Sequence, residues 1–162
     1  MKPSFQTLKS NYYSSDEFSS SYVSASDLYA EVGIDHQALL RENPAYINTC
    51  AARVSLALIK SGVTFNGRLA IKSGDYKGKK LETGAKLLAD QLMKPTVFGY
   101  PKLYTPKNFL SNIAGKKGVV FFWKMVGYNG GHIDLIDGSN NQTVCSSACY
   151  LDSKEIWFWP LQ

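Results

Sequence analysis

Two residues of this chain have side chains suited to covalent chemistry at a carbonyl carbon. Cys50 stands alone, far upstream of the close pair Cys145 and Cys149. His132 is one of only two histidines and follows Gly130-Gly131. A thiolate attacks an amide carbonyl, and a histidine within reach takes up and returns the proton. The thiolate needs positive potential, which the N-terminus of a helix provides, and the same terminus offers free backbone N–H groups to an oxyanion. Asn48 and Thr49 are good N-caps, and Cys50 to Lys60 reads as a helix closed by Gly62, so the sulfur falls in the first turn. Against this, a lone cysteine near a helix start is often a small core residue, and a lone histidine at a strand start is often only hydrogen-bonded.

The elements around this pair separate into two halves. Helices are expected over Ser26–Val32, His36–Glu42, Cys50–Lys60 and Gly84–Met93, the third with Ala51, Val54, Ala57 and Leu58 on one apolar face. Residues 1–25 are polar and rich in Ser and Tyr, with weak periodicity. In the second half, Gly118–Val126 is a β-rich apolar run that reads as a central strand. Tyr128-Asn129-Gly130-Gly131 makes a loop, and His132–Ile136 forms the next strand. Asp137–Asn141 carries turn chemistry, Gln142–Ser146 can return antiparallel, and Glu155–Trp159 supplies a last strand. Helices first and strands later give an α+β fold. No repeat or linker divides the chain, so residues 1–162 read as one domain.

Composition bounds the possibilities. Hydrophobic residues at 44% and charged residues at 19% are ordinary for a globular protein. Eighteen basic against thirteen acidic side chains leave a net charge of +5, which favours an anionic polymer such as nucleic acid, anionic lipid or acidic cell wall. The lysines are scattered apart from Lys77-Gly78-Lys79-Lys80, and no nucleic-acid module is present. No apolar stretch reaches the length of a membrane-spanning helix, and the N-terminus has no signal-peptide pattern. Cys145 and Cys149 read as a short-loop disulfide, implying an oxidising compartment. Zinc is the weaker reading, since only His36 and His132 are available to join them.

Taken as strings, Asn48-Thr49-Cys50-Ala51-Ala52-Arg53-Val54-Ser55 and Gly131-His132-Ile133-Asp134-Leu135 resemble the motifs of the type VI secretion amidase effectors, family 4. These belong to the NlpC-type, papain-like cysteine peptidases. The Gly115–Val120 lead-in, the Cys-x-x-x-Cys segment and the closing Trp157-Phe158-Trp159-Pro160 are also similar, in the same order. The resemblance implies a papain-like α+β fold with N-terminal helices packed on a C-terminal antiparallel sheet, needing no metal or cofactor. It implies cleavage of peptidoglycan stem peptides between D-glutamate and meso-diaminopimelate. The effector would be made without a signal peptide, delivered by the secretion machinery into a rival's periplasm, and neutralised at home by a cognate immunity protein plugging the cleft. Nucleic acid and membrane insertion have no place in this picture. Cys50 would be the nucleophile, His132 the base and acid, and Cys145–Cys149 a disulfide shaping one wall of the groove.

One position departs from the family pattern: the aspartate usual between the two cysteines is Ser147. A hairpin turn near Ser139-Asn140 places His132 opposite Ser146 or Ser147, so Ser147 is the expected third catalytic group. Asp134 shares a sheet face with His132 but is expected to point along the strand, out of ideal reach. Asp137 reads as a turn residue, and Asp152 stays open. Arg53, three residues from Cys50, is a candidate for binding a substrate carboxylate or for pairing with a structural acid. Gly131 would let a substrate backbone approach, and Tyr46 and Tyr128 are candidates to line the groove. Acyl transfer or isopeptide cleavage on a protein, and non-enzymatic binding to cell wall, are the rival readings.

Overall fold

The computed structural model describes residues 2–128 and 130–162; Asn129 of the expected loop lies outside them. Among the described residues, six helices lie in the order α1 (Phe5–Ser10), α2 (Ala25–Glu31), α3 (His36–Glu42), α4 (Cys50–Lys60), α5 (Ala85–Leu92) and α6 (Pro106–Ile113), with a 3-10 turn at Pro44–Ile47. A small hairpin joins β1 (Leu69–Ala70) to β2 (Lys80–Leu81). The main sheet has the order β3-β7-β4-β5-β6, where β3 is Lys102–Tyr104, β4 Lys117–Met125, β5 Gly131–Asp137, β6 Val144–Cys145 and β7 Ser153–Pro160. All its neighbouring strands are antiparallel.

The apolar run in β4 follows from its place in the middle of this sheet. Val119 and Phe121 face α4 and α5 together with Trp157 and Trp159. Val120 and Phe122 face the other way, packing with Phe158 against Phe109 and Ile113 of α6. A strand covered on both faces has no polar side to show.

Helix α4 is likewise more enclosed than a one-sided amphipathic helix, being buried from Cys50 through Ile59. Ala51, Val54, Ala57 and Leu58 pack toward the sheet, while Ala52, Leu56 and Ile59 pack against Leu28, Tyr29 and Ile71. Its end is set by Gly62, whose positive φ of 85° turns the chain so that Val63 N–H reaches Leu58 O. The N-terminal segment carries more of the interior than its polar composition indicates. Phe5, Leu8 and Tyr12 are buried in the α4–sheet core, and Phe5 N–H donates to Gln162 O at 2.8 Å.

Candidate active site

Cys50 is the first residue of α4. Thr49 precedes the helix but does not cap it, because its hydroxyl accepts from Arg53 Nε at 2.8 Å. The Cys50 N–H instead donates to Asn48 Oδ1 at 3.3 Å, and Asn48 Nδ2 donates to the Tyr128 hydroxyl. Both Cys50 and His132 are 7% exposed. Cys50 nevertheless lines a cleft of about 330 Å³, whose lining also includes Asn48, Lys86, Trp123, Tyr128 and Gly131.

His132 lies on β5 opposite Phe122 of β4, and its ring packs between Phe122 and Tyr150 at centroid distances of 6.2 and 4.8 Å. The sixth strand pairs with β5 only at Ile136 and Asp137, so at His132 and Asp134 that side of β5 carries no strand ladder. His132 Nε2 is 2.8 Å from Asp134 Oδ2. The Cys50 side chain also lies close enough to the imidazole to bear on its protonation. Burial works to lower the imidazole pKa, but the bond to Asp134 and the contact with Cys50 outweigh it and raise the value from 6.5 to about 9.

Asp134 is fully buried, and its carboxylate is held from several sides. Oδ1 accepts from Leu135 N–H at 2.8 Å, and Oδ2 accepts from Ser147 N–H at 3.0 Å and Ala148 N–H at 2.9 Å. The expectation that Asp134 points out of reach is corrected here. Same-face neighbours on a strand are only about 7 Å apart, and an imidazole lying along the strand spans that gap.

Ser147 occupies the expected region in a different way. The register pairs Ile136 with Cys145 and Asp137 with Val144, which centres the turn between Asn140 and Asn141 rather than at Ser139-Asn140. Ser147 therefore falls beside Asp134 and presents its backbone N–H to the carboxylate. Its hydroxyl pairs with Tyr12 Oη at 2.6 Å and accepts from Ser15 N–H at 3.1 Å. The contact expected between Ser147 and the imidazole is thus made by Asp134. Asp137 is the turn residue expected of it, accepting from Ser139 N–H at 2.9 Å. Asp152 is exposed.

Arg53 is not open to the cleft. It is 3% exposed, and Nη1 donates to the carbonyls of Tyr13, Ser14 and Val23. It ties the N-terminal segment to α4, and its partners there are backbone carbonyls instead of the substrate carboxylate or structural acid expected as alternatives. Gly131 does line the cleft. A Cβ there would sit 2.5 Å from the Phe121 ring and 3.0 Å from Phe122 O, so core packing alone accounts for this glycine. Cys145 and Cys149 form a disulfide, Cα–Cα 5.3 Å. Neither cysteine lines the cleft at Cys50. Cys149 borders a separate hollow beside α6, and the disulfide loop serves the site by aiming its N–H groups at Asp134.

The model of the family described as type VI secretion system (T6SS), amidase effector protein 4 (Tae4), matches residues 46–159. The chain belongs to this family. The match takes in Cys50, His132, Asp134 and the disulfide loop, and the family is one of amidases delivered by type VI secretion. No curated protein matches the sequence. Among solved structures, the chain resembles Tae4 in the Tae4–Tai4 effector–immunity complex from Salmonella Typhimurium, with 20% identity and a TM-score of 0.68 over 100% of both chains. It also resembles Tae4 in the corresponding complex from Enterobacter cloacae, with 22% identity and a TM-score of 0.60 over 100% of both chains. Tae4 from Enterobacter cloacae crystallised as the effector matches at 23% identity and a TM-score of 0.60, covering 100% of this chain and 98% of that one. The shared α+β fold, with helices of the first half on a C-terminal antiparallel sheet, is the papain-like NlpC-type arrangement.

Proposed function

We propose that the chain, acting as one catalytic domain, hydrolyses the amide between D-glutamate and meso-diaminopimelate in peptidoglycan stem peptides through an acyl-enzyme on Cys50. The observation that carries this reading is the imidazole of His132, 2.8 Å from the buried carboxylate of Asp134 and close enough to Cys50 for the two to raise its pKa together. An imidazole whose pKa is lifted to about 9 is protonated at neutral pH, so it holds the proton that the departing amine needs.

With Nε2 bound to Asp134, Nδ1 remains to serve the sulfur. The thiolate attacks the carbonyl carbon, and the oxyanion gathers N–H groups at the start of α4. The Cys50 N–H is held only by the long 3.3 Å bond to Asn48, which a charged acceptor displaces. The imidazolium gives its proton to the departing amine. Neutral His132 then takes a proton from water, the hydroxide attacks the thioester, and the thiolate leaves with the imidazolium restored beside it. Asp134 keeps the ring oriented and stabilises its charged form.

The periplasm of a target bacterium is the site of action in this proposal, where the disulfide is stable and stem peptides are accessible. The related Tae4 chains were solved with Tai4 immunity proteins, and a cognate immunity protein covering the Cys50 cleft is the corresponding partner here. The test is digestion of purified peptidoglycan with products identified by mass. Wild type is expected to release fragments ending in D-glutamate with no new amide, and Cys50→Ala to release none while unfolding at the same temperature. Full activity in Cys50→Ala refutes the mechanism, and products joined to a new amine reassign the protein to acyl transfer.

A further inference from the structure

The start of α5 opens on the same cleft as Cys50: Thr83, Gly84, Ala85, Lys86 and Leu87 all line it. Its electrostatics run against the ordinary preference of a helix. A first turn favours acidic side chains because the helix dipole is positive there, yet α5 has no acid in its first turn and no side-chain cap. It carries Lys86 instead. The nearest acid, buried Glu82, is already neutralised by Arg68 Nε and Nη2 at 2.8 and 2.7 Å, and it accepts from Gly84 N–H. Among the described residues, Lys86 is the one charged residue lining the cleft.

Its ammonium is positioned by aromatic faces. Nζ lies 5.5 Å from the Trp123 ring centroid and 5.4 Å from that of Trp157, and Trp123 is itself part of the cleft wall. The counter-ion is Asp90 at 2.8 and 3.0 Å. That pair is solvated, with side chains 37% and 42% exposed, and runs lysine to aspartate along the helix, the weaker order for an i,i+4 pair. Glu155, the other acid nearby, faces Lys124 at 3.4 Å and Trp157 Nε1. A fixed cation with a weakly held partner, in a cleft with uncapped N–H groups, suits an incoming carboxylate.

We propose that Lys86 determines substrate specificity by receiving a free carboxylate of the stem peptide beside the scissile amide. This rests on the reading of the chain as a stem-peptide amidase. The carboxylate comes either from the α-carboxyl that a γ-linked glutamate leaves free or from the diaminopimelate that follows.

The experiment compares three synthetic stem peptides: one with both carboxylates free, one amidated at the glutamate α-carboxyl and one amidated at diaminopimelate. Each is assayed with wild type, Lys86→Met and Lys86→Arg. Wild type is expected to lose about tenfold or more in kcat/KM on one of the amidated peptides, the scale of a charged hydrogen bond. Lys86→Met should lose as much on the free peptide and show no further loss on that amidated one, whereas Lys86→Arg should retain the discrimination. Equal melting temperature and equal Cys50 alkylation rate in the variants establish that the fold and the thiol are intact. If Lys86→Met still discriminates, or wild type never does, the assignment of Lys86 is wrong. If wild type cleaves none of the peptides, the stem-peptide reading itself fails and takes this one with it.

Discussion

At the level of single residues, Asp134 and Ser147 separate cleanly in their consequences. Asp134 contributes a buried negative charge aligned with His132 Nε2, whereas Ser147 contributes a backbone N–H that survives any side-chain change. Asp134→Asn removes the charge that favours the imidazolium and sets an amide against the N–H groups of Ser147 and Ala148. We expect kcat to fall on the order of a hundredfold or more, as for the orienting acid of other triads. Ser147→Ala should stay within about threefold, because the hydroxyl points to Tyr12 and only an indirect brace is lost. Steady-state kinetics on one muropeptide decides between them, and a reversed order would return the third role to Ser147. The titration of His132 adds a second expectation. Its folded pKa of about 9 lies above the ordinary 6.5, so protonation favours the folded state. That stability is complete below about pH 6.5 and disappears as pH rises through about 9. The melting temperature of wild type should therefore decline across this window more steeply than that of His132→Gln, and parallel curves would argue against the raised value.

The elements that hold these residues were unequally legible in the sequence. Helices α3 and α4 have the expected bounds, α4 being closed by Gly62, and β4, β5 and β7 follow the apolar runs to within a residue or two. Helix α6 does carry a local signal: Thr105-Pro106 with Asn108 forms a capping box with proline in the first turn, and Phe109 and Ile113 are four apart. Helix α1 and strands β1 to β3 are too short for periodicity to register. The positions of Cys50 and His132 were legible because helix start and strand start are local properties. The His132–Asp134 contact was not, since it depends on how the two side chains turn along β5 and on the N–H groups of Ser147 and Ala148 that hold the carboxylate. The disulfide belongs at this scale. It closes residues 145 to 149, the stretch whose N–H groups hold Asp134, while β6 itself is only two residues long. Replacing both cysteines by serine should cost about 2 kcal/mol, the low end for a short loop. It should also lower kcat several-fold with little change in KM, because the imidazole loses its fixed acceptor geometry and the cleft is untouched. Urea melts and kinetics on the double variant test this, and unchanged kcat would make the bridge purely structural.

Over the whole molecule, the polar segment ahead of the matched family region closes around the back of the site. Lys9 Nζ donates to Ser146 Oγ at 2.8 Å, Tyr12 Oη meets Ser147 Oγ at 2.6 Å, and Ser14 Oγ donates to Ser146 O at 2.6 Å. Arg53, one turn along α4 from Cys50, grips the same segment through the carbonyls of Tyr13 and Ser14. Helix α4 and the loop that cradles Asp134 are thereby linked through a third piece of chain, so the alignment of Cys50, His132 and Asp134 depends on contacts 130 and more residues apart in sequence. This explains why a Ser/Tyr-rich stretch without helical periodicity is nonetheless ordered: its hydroxyls have fixed partners, and Phe5, Leu8 and Tyr12 anchor it in the core. Removing two of the links with Tyr12→Phe and Ser14→Ala should cost about 1 kcal/mol of stability for each hydrogen bond. It should reduce kcat more than it raises KM, since the groove walls are elsewhere. Tyr13→Phe is the control, because the Tyr13 hydroxyl bonds outward to Glu31 and Lys60, and it should leave kcat unchanged. If the double variant loses stability yet keeps full kcat, the segment is only packing and the catalytic alignment is set by the sheet alone.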